Sequence, residues 1–78
     1  MAAEVKVLYF GPAQEVAGRT DEKFRADDTA SLRSQIMAKY PAMARIPFRL
    51  ALNKTMLKEE SGLKESDIIA VLPPFQGG

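Results

Sequence analysis

The stretch that most constrains the fold is residues 67–72, Asp-Ile-Ile-Ala-Val-Leu, in which every residue after the aspartate is apolar. Because side chains along a strand point alternately to its two faces, this strand would present apolar groups on both. A strand of that kind is typical of the middle of a sheet. We therefore predict that residues 67–72 form a central strand, and the remaining elements must supply its neighbours.

Two strands and a short helix are predicted in the first third of the chain. Residues 4–10 are rich in β-branched and aromatic side chains, which favours a strand. Leu8 and Phe10 make its second half apolar on both faces, so we expect that half to be covered on both sides. Residues 12–17 begin with proline and end before a glycine, which favours a short helix. Residues 20–26 fit a largely exposed strand that turns back to pair with the first.

One substantial helix is predicted next. Residues 27–29, Asp-Asp-Thr, supply side-chain acceptors for the unpaired N–H groups of a helix start. Leu32, Ile36 and Tyr40 recur at the spacing of one apolar stripe. Pro41 disfavours helical geometry in the residue before it and so ends the helix. We interpret the stripe as part of the core and not as a binding face.

The rest of the chain returns to strand patterns. Residues 41–47 are predicted to be irregular, and residues 48–53 to form a strand. Asn53 and Lys54 are predicted to make a tight turn into a short returning arm at residues 55–57. The simplest arrangement is α+β, a single mixed sheet packed on one main helix, with the first and last strands as central neighbours.

The segment after the last strand has a composition of its own. It consists of Pro73, Pro74, Phe75, Gln76, Gly77 and Gly78. The prolines hold a chain extended, and the glycines can enter a slot too narrow for a side chain. We predict one domain over residues 1–72 and an extended tail over residues 73–78 that offers the α-carboxylate of Gly78 to a partner, with Phe75 as its anchor. The alternative is a frayed end without a role.

Missing residue types narrow the function classes. The chain has no cysteine and no histidine, so it lacks a thiolate nucleophile, the usual general base and the commonest metal ligands. A net charge of +1 with interspersed signs gives no basic stripe for nucleic acid. No export signal or membrane span is recognisable, so we expect a cytoplasmic protein with no membrane partner. A carrier, a subunit or a binding module is favoured over a self-sufficient enzyme.

Several motifs together resemble a known family. They are residues 5–11, residues 15–18, Thr29 with Leu32 and Ile36, residues 51–53, residues 67–74 and the terminal Gly77-Gly78. This pattern is similar to the β-grasp, ubiquitin-like sulfur carriers, and most closely to the MoaD-type small subunits of molybdopterin synthase. The resemblance spans essentially the whole chain. One departure is Phe75-Gln76, where such tails often have a small aliphatic residue before a small polar one.

The resemblance implies a reaction cycle at Gly78. A partner adenylyltransferase related to ubiquitin-activating enzymes would join the Gly78 carboxylate to AMP, using ATP and Mg²⁺, while this chain binds no cofactor. A sulfur donor such as a rhodanese or a cysteine desulfurase would then leave a thiocarboxylate. The tail would enter the large subunit of molybdopterin synthase, which transfers the sulfur to a pterin precursor.

Residue roles follow from the same resemblance. Gly78 would be the reacting group and Gly77 would share its slot, while the tail residues Pro73, Pro74, Phe75 and Gln76 would contact partners. The candidates for a docking surface are Phe48, Leu50, Leu52 and Phe75, and for the first three core packing is the favoured interpretation. Three other functions stay open: sulfur transfer for thiamine synthesis or tRNA thiolation, protein modification through Gly78, and a binding module with an inert tail.

Overall fold

The computed structural model, which describes residues 2–73, is built around a five-stranded mixed sheet. In chain order the elements are β1 (Ala3–Tyr9), α1 (Pro12–Ala17), β2 (Asp21–Ala26), α2 (Thr29–Lys39), a 3₁₀ helix (Pro41–Arg45), β3 (Arg49–Leu52), β4 (Thr55–Met56) and β5 (Ile68–Leu72). The strand order is β2-β1-β5-β3-β4. The α+β arrangement and the central position of the last strand are both confirmed.

β5 is hydrogen-bonded on both sides. It runs parallel to β1, with Tyr9 beside Val71, and antiparallel to β3, with Leu50 on the other side of Val71. The β1–β2 and β3–β4 pairs are antiparallel. Because β1 and β5 are parallel, both strands end at the same edge of the sheet, and the chain beyond Leu72 leaves from that edge.

The core lies between one face of the sheet and α2. Its largest fully buried hydrophobic side chains come from β1, α2, the 3₁₀ helix and β5: Val5, Val7, Tyr9, Leu32, Ile36, Met43, Ile69 and Val71. The helix begins where the sequence predicted, because the Asp28 side chain accepts a hydrogen bond of 2.8 Å from the Ser31 backbone N–H. The stripe carrying Leu32 and Ile36 is core, as interpreted.

The expectation that the second half of the predicted strand 4–10 is covered on both sides is wrong for the residues described. Phe10 remains 43% exposed and its neighbour Leu8 is half-buried, while Ile68 on β5 is also 43% exposed. The reason is the number of layers. Within residues 2–73, α2 is the one helix longer than two turns, and a single helical layer covers one face of a sheet.

Two local predictions have opposite outcomes. The tight turn is confirmed, because Asn53 and Lys54 have φ angles of 49° and 76° and join β3 to β4. The segment predicted to be irregular contains the 3₁₀ helix, which buries Met43 completely. No helix within residues 2–73 is both long enough and apolar enough to span a bilayer.

A buried carboxylate joins β1, β2 and the end of α2. Glu22 Oε1 accepts hydrogen bonds of 2.8 Å from the hydroxyls of both Tyr9 and Tyr40, and Oε2 accepts one from Lys39 Nζ. Burial opposes ionisation of Glu22, but these hydrogen bonds outweigh burial and lower its pKa. Burial and the bond to Glu22 raise the pKa of Tyr9. Three segments distant in sequence, β1, β2 and the end of α2, are thereby fixed around one charge.

Candidate functional site

The predicted tail is described only at its first residue. Pro74, Phe75, Gln76, Gly77 and Gly78 lie outside the described residues, so their roles remain predictions. Pro73 is half-buried and directly follows β5. The site that the structure does define is therefore the root of the tail together with the surface around it.

The start of β5 is held by a side-chain clamp. Asp67 accepts hydrogen bonds from the Asn53 amide at 3.0 Å and from the Lys64 backbone N–H at 2.8 Å, and these bonds lower its pKa. Asn53 Oδ1 in turn accepts a 2.9 Å bond from the Ile68 N–H. The turn between β3 and β4 thereby fixes the strand that leads to the tail.

The other end of β5 is held by the backbone of β1 and β3. The Phe10 N–H donates to the Val71 carbonyl at 3.1 Å, just beyond the end of β1. Leu72 lies beside Arg49 in the register of β3 and β5. Strand pairing therefore continues to the residue immediately before Pro73, and the tail starts from a fixed point.

The sheet face opposite α2 is apolar, and no described element covers it. We call it the open face. It is a groove of about 550 Å³ lined by Leu8, Phe10, Ala51, Asn53, Lys54, Met56, Ile68, Ala70 and Leu72. Three of these large apolar side chains, Phe10, Met56 and Ile68, are each more than 40% exposed. Contiguous exposed apolar groups of this kind mark contact surfaces for other molecules.

Basic side chains border the open face. Lys6 lies beside Ile68 on one side and directly opposite Lys23 on the other, and both lysines are exposed. Arg49 borders the end near Leu72, and Lys54 lies in the turn beside Met56. Among residues 2–73, none of these four cations forms an ion pair. The border therefore suits a partner surface with acidic side chains around an apolar centre.

The predicted docking candidates on the third strand lie on the helix side. Leu50 is almost fully buried, and Leu52 and Phe48 are half-buried against the core. The Arg33 guanidinium lies 5.8 Å from the centre of the Phe48 ring. All three side chains therefore pack toward the core, as favoured from the sequence, and the docking role of Phe48 stays a prediction.

Sequence reasoning missed Ile68, Met56 and Leu8 as surface residues. The sequence did contain a signal for an exposed apolar face: two strands have apolar side chains on both faces, but the single substantial helix can cover only one face of the sheet. Within residues 2–73 no group of three acidic, histidine or cysteine side chains is placed to hold a metal ion. The described site consists of an exposed apolar face and the root of the tail.

Comparison with known proteins gives a consistent result. The model of the ThiS family matches residues 7–78. A molybdopterin synthase sulfur carrier subunit from Chlamydomonas reinhardtii is 35% identical over 82 aligned residues, covering 96% of this chain and 99% of that protein. The similarity therefore extends over both proteins almost completely.

Solved structures agree in fold. The small archaeal modifier protein 1 from Methanosarcina acetivorans superposes with a TM-score of 0.88 at 26% identity, covering 100% of this chain and 99% of that one. A chain in the complex of subunits 1 and 2 of molybdopterin-converting factor from Helicobacter pylori has a TM-score of 0.74 at 28% identity, with coverages of 96% and 99%. The mixed sheet on one helix is thus a ubiquitin-like β-grasp fold.

Proposed function

The chain belongs to the ThiS family, and from this premise we propose that it is a sulfur carrier, the small subunit of a molybdopterin synthase, which carries sulfur as a thiocarboxylate at Gly78. The observation that carries the proposal is the end-to-end similarity to relatives named as sulfur carrier subunits of that synthase. The family match extends to residue 78 and so includes the proposed reacting group.

The absence of cysteine from the chain shapes the proposed chemistry. A carboxylate resists nucleophilic attack until one of its oxygens becomes a good leaving group. Attack of the Gly78 carboxylate on the α-phosphorus of ATP releases pyrophosphate and forms a mixed anhydride with AMP. A hydrosulfide then adds to the carbonyl carbon and AMP leaves, which gives the thiocarboxylate without a change of oxidation state. A persulfide donor would instead form an acyl disulfide, which a second thiol must reduce.

Other proteins supply the catalytic groups in this proposal. An adenylyltransferase binds the ATP and Mg²⁺, a sulfur donor such as a rhodanese or cysteine desulfurase supplies sulfur, and the large subunit performs the transfer. We place this cycle in the cytoplasm, where ATP is available. This chain contributes the rigid domain, the tail and the docking surface.

The open face is the proposed docking surface for the large subunit. Its lining extends to Leu72, the residue immediately before the tail, so a partner bound there would lie next to the emerging chain. The Helicobacter pylori complex supports a partnership between two such subunits. Gly77, Phe75 and Gln76 would then enter the partner together with Gly78.

Intact-mass spectrometry tests the proposal directly. After incubation with ATP, Mg²⁺, the adenylyltransferase and a sulfur source, we expect a mass increase equal to one exchange of oxygen for sulfur. Deletion of Gly78 should abolish it. If the full chain never gains sulfur while a known carrier does so in the same mixture, the proposal is wrong. Conversion of a pterin precursor by the loaded carrier and the large subunit separates this acceptor from thiamine or tRNA pathways.

Substitution on the open face tests the docking surface. Ile68→Lys places a charge in the apolar centre and should weaken binding to the large subunit at least tenfold, measured by calorimetry. Ser34→Lys on the exposed surface of α2 is the matched control and should leave the affinity unchanged. Equal affinities for both variants would exclude the open face as the docking surface.

Protein modification is a second candidate, favoured by the structural similarity to the small archaeal modifier protein 1. In that case Gly78 would form amide bonds with lysines of target proteins. Tagged carrier expressed in its native cell should then give higher-mass adducts, and deletion of Gly78 should remove them. A full set of sulfur-transfer activities without any such adducts would exclude this candidate.

A further inference from the structure

The strands β1 and β5 end side by side, and the segments that follow them leave in different directions. Tyr9 at the end of β1 lies beside Val71 of the parallel β5, and the Phe10 N–H donates to the Val71 carbonyl. The segment after β1 turns into α1, while the segment after β5 continues as Pro73 and the tail. The geometry where these two segments separate decides in which direction the tail can leave.

Gly11 forms the turn after β1. Its φ and ψ angles are 57° and −135°, a combination that residues with a Cβ rarely adopt. The turn also starts α1, since the Gly11 carbonyl accepts a hydrogen bond of 3.0 Å from the Gln14 N–H. The backbone here bends sharply away from the line of the sheet.

The Pro73 ring lies within van der Waals contact of the point that a side chain at Gly11 would occupy. A Cβ added to Gly11 would lie 3.5 Å from Pro73 Cγ and 3.7 Å from both its Cβ and its Cδ. The proline ring thus lies over the glycine, 62 positions away in sequence. Gly18 provides a contrast, because its φ angle is also positive, at 72°, yet an added Cβ would have no neighbour within 4 Å. Gly18 serves its own turn alone.

We propose that Gly11 is a positioning residue that seats the Pro73 ring and thereby sets the direction in which the tail leaves the sheet. The proposal rests on the function proposed above, in which Gly78 must reach a partner's active site. It assigns a role to a residue far from Gly78 in sequence, which acts through Pro73 and does not itself touch the reacting group.

The length of the tail makes its starting direction important. Five residues follow Pro73, and at about 3.3 Å each they reach roughly 16 Å when extended. A change of about 20° at the root would then move the terminal carbonyl by roughly 5 Å. Since a misplacement of about 1 Å can cost on the order of a hundredfold in rate, a fixed root favours productive insertion.

Three variants test the contact between Gly11 and the Pro73 ring, which we call the seat. Gly11→Ala forces the turn to shift, and Pro73→Ala removes the ring while leaving the turn intact. Gly18→Ala is the control for adding a Cβ at a positive φ away from the tail. Because the ψ of Gly18 is 21° and that of Gly11 is −135°, Pro73→Ala is the deciding variant. Each is assayed at a temperature where circular dichroism shows it fully folded, by pyrophosphate exchange with the adenylyltransferase.

We expect kcat to fall at least tenfold for Gly11→Ala and Pro73→Ala, with KM for the carrier within twofold because the rest of the domain surface is unchanged. Gly18→Ala should retain both constants. If Pro73→Ala and Gly11→Ala keep kcat within twofold of the wild type, the proposed seat is wrong. Should Gly11→Ala fail to fold, Pro73→Ala decides the question.

A measurement independent of activity separates this inference from the proposed function. Residual dipolar couplings of the backbone N–H groups after Pro73 should change in Gly11→Ala and Pro73→Ala and stay constant in Gly18→Ala. If the wild type shows no adenylation but the couplings change as stated, the function fails while the seat stands. Unchanged couplings in all three variants would overturn the seat, whatever the activity.

Discussion

Replacing Glu22 by glutamine tests whether the buried carboxylate stabilises the domain as a charge. The substitution keeps the shape and the acceptor for the hydroxyls of Tyr9 and Tyr40, but it removes the negative charge. A hydrogen bond to a charged group contributes about 1.5–3 kcal/mol and a neutral one about 0.5–1.5, so each tyrosine bond should lose roughly 1 kcal/mol. We assign nothing to Lys39, because its side chain is half exposed to water.

The expected loss at pH 7 is therefore about 2 kcal/mol in the free energy of unfolding. For a domain of this size each kcal/mol shifts Tm by about 4–8 °C, which gives a decrease of roughly 8–16 °C. Denaturant unfolding measures this free energy, provided that its dependence on denaturant concentration has the same slope in both proteins. Glu15→Gln on the exposed side of α1 is the control and should change stability by less than about 0.5 kcal/mol.

The pH dependence gives a stricter test of the same reasoning. The hydrogen bonds to Glu22 lower its folded-state pKa below the ordinary value of 4.5, so its charge stabilises the fold above that value. This contribution is lost as the pH falls through the folded-state pKa. The difference between wild type and Glu22→Gln should therefore shrink between pH 7 and pH 3. A difference that is equal at both pH values would refute the account.

Two further predictions concern the core and the turn. Val71→Asp places an unpaired charge at a fully buried position and should lower the free energy of unfolding by more than about 3 kcal/mol. Circular dichroism should then show that much of the protein is unfolded, whereas deletion of Gly78 should leave Tm unchanged. Equal losses of stability in the two variants would contradict the separation of domain and tail. Lys54→Gly should raise the free energy of unfolding, measured by denaturant unfolding, by about 0.5–1 kcal/mol, because glycine adopts the φ angle of 76° without strain. Lys58→Gly is the control and should not stabilise the domain, because the φ angle of Lys58 is not positive.

Local patterns predicted most elements, because their causes are local. The cap at Asp28, the stripe of Leu32 and Ile36 and the turn at Asn53 each depend on residues a few positions apart. The central position of β5 also followed from one segment, since a strand with two apolar faces rarely lies at an edge. These features needed no knowledge of distant contacts.

Features that join distant segments could not be predicted in this way. Glu22 lay in a strand expected to be exposed, and its burial depends on tyrosines 13 and 18 positions away. The contact of Gly11 with Pro73 depends on the parallel pairing of β1 with β5. Alternation along the third strand separated two sets of side chains, but the position of α2 decided that Phe48 belongs to the core side. The tail residues beyond Pro73 remain predictions.

The double-sided pairing of β5 has a mechanical consequence for a carrier whose end is drawn into another protein. Tension applied at Pro73 acts along the strand and across its hydrogen bonds with β1 and β3, so those bonds share the load simultaneously and do not break one after another. A partner can therefore pull firmly on the terminus without unravelling the domain behind it.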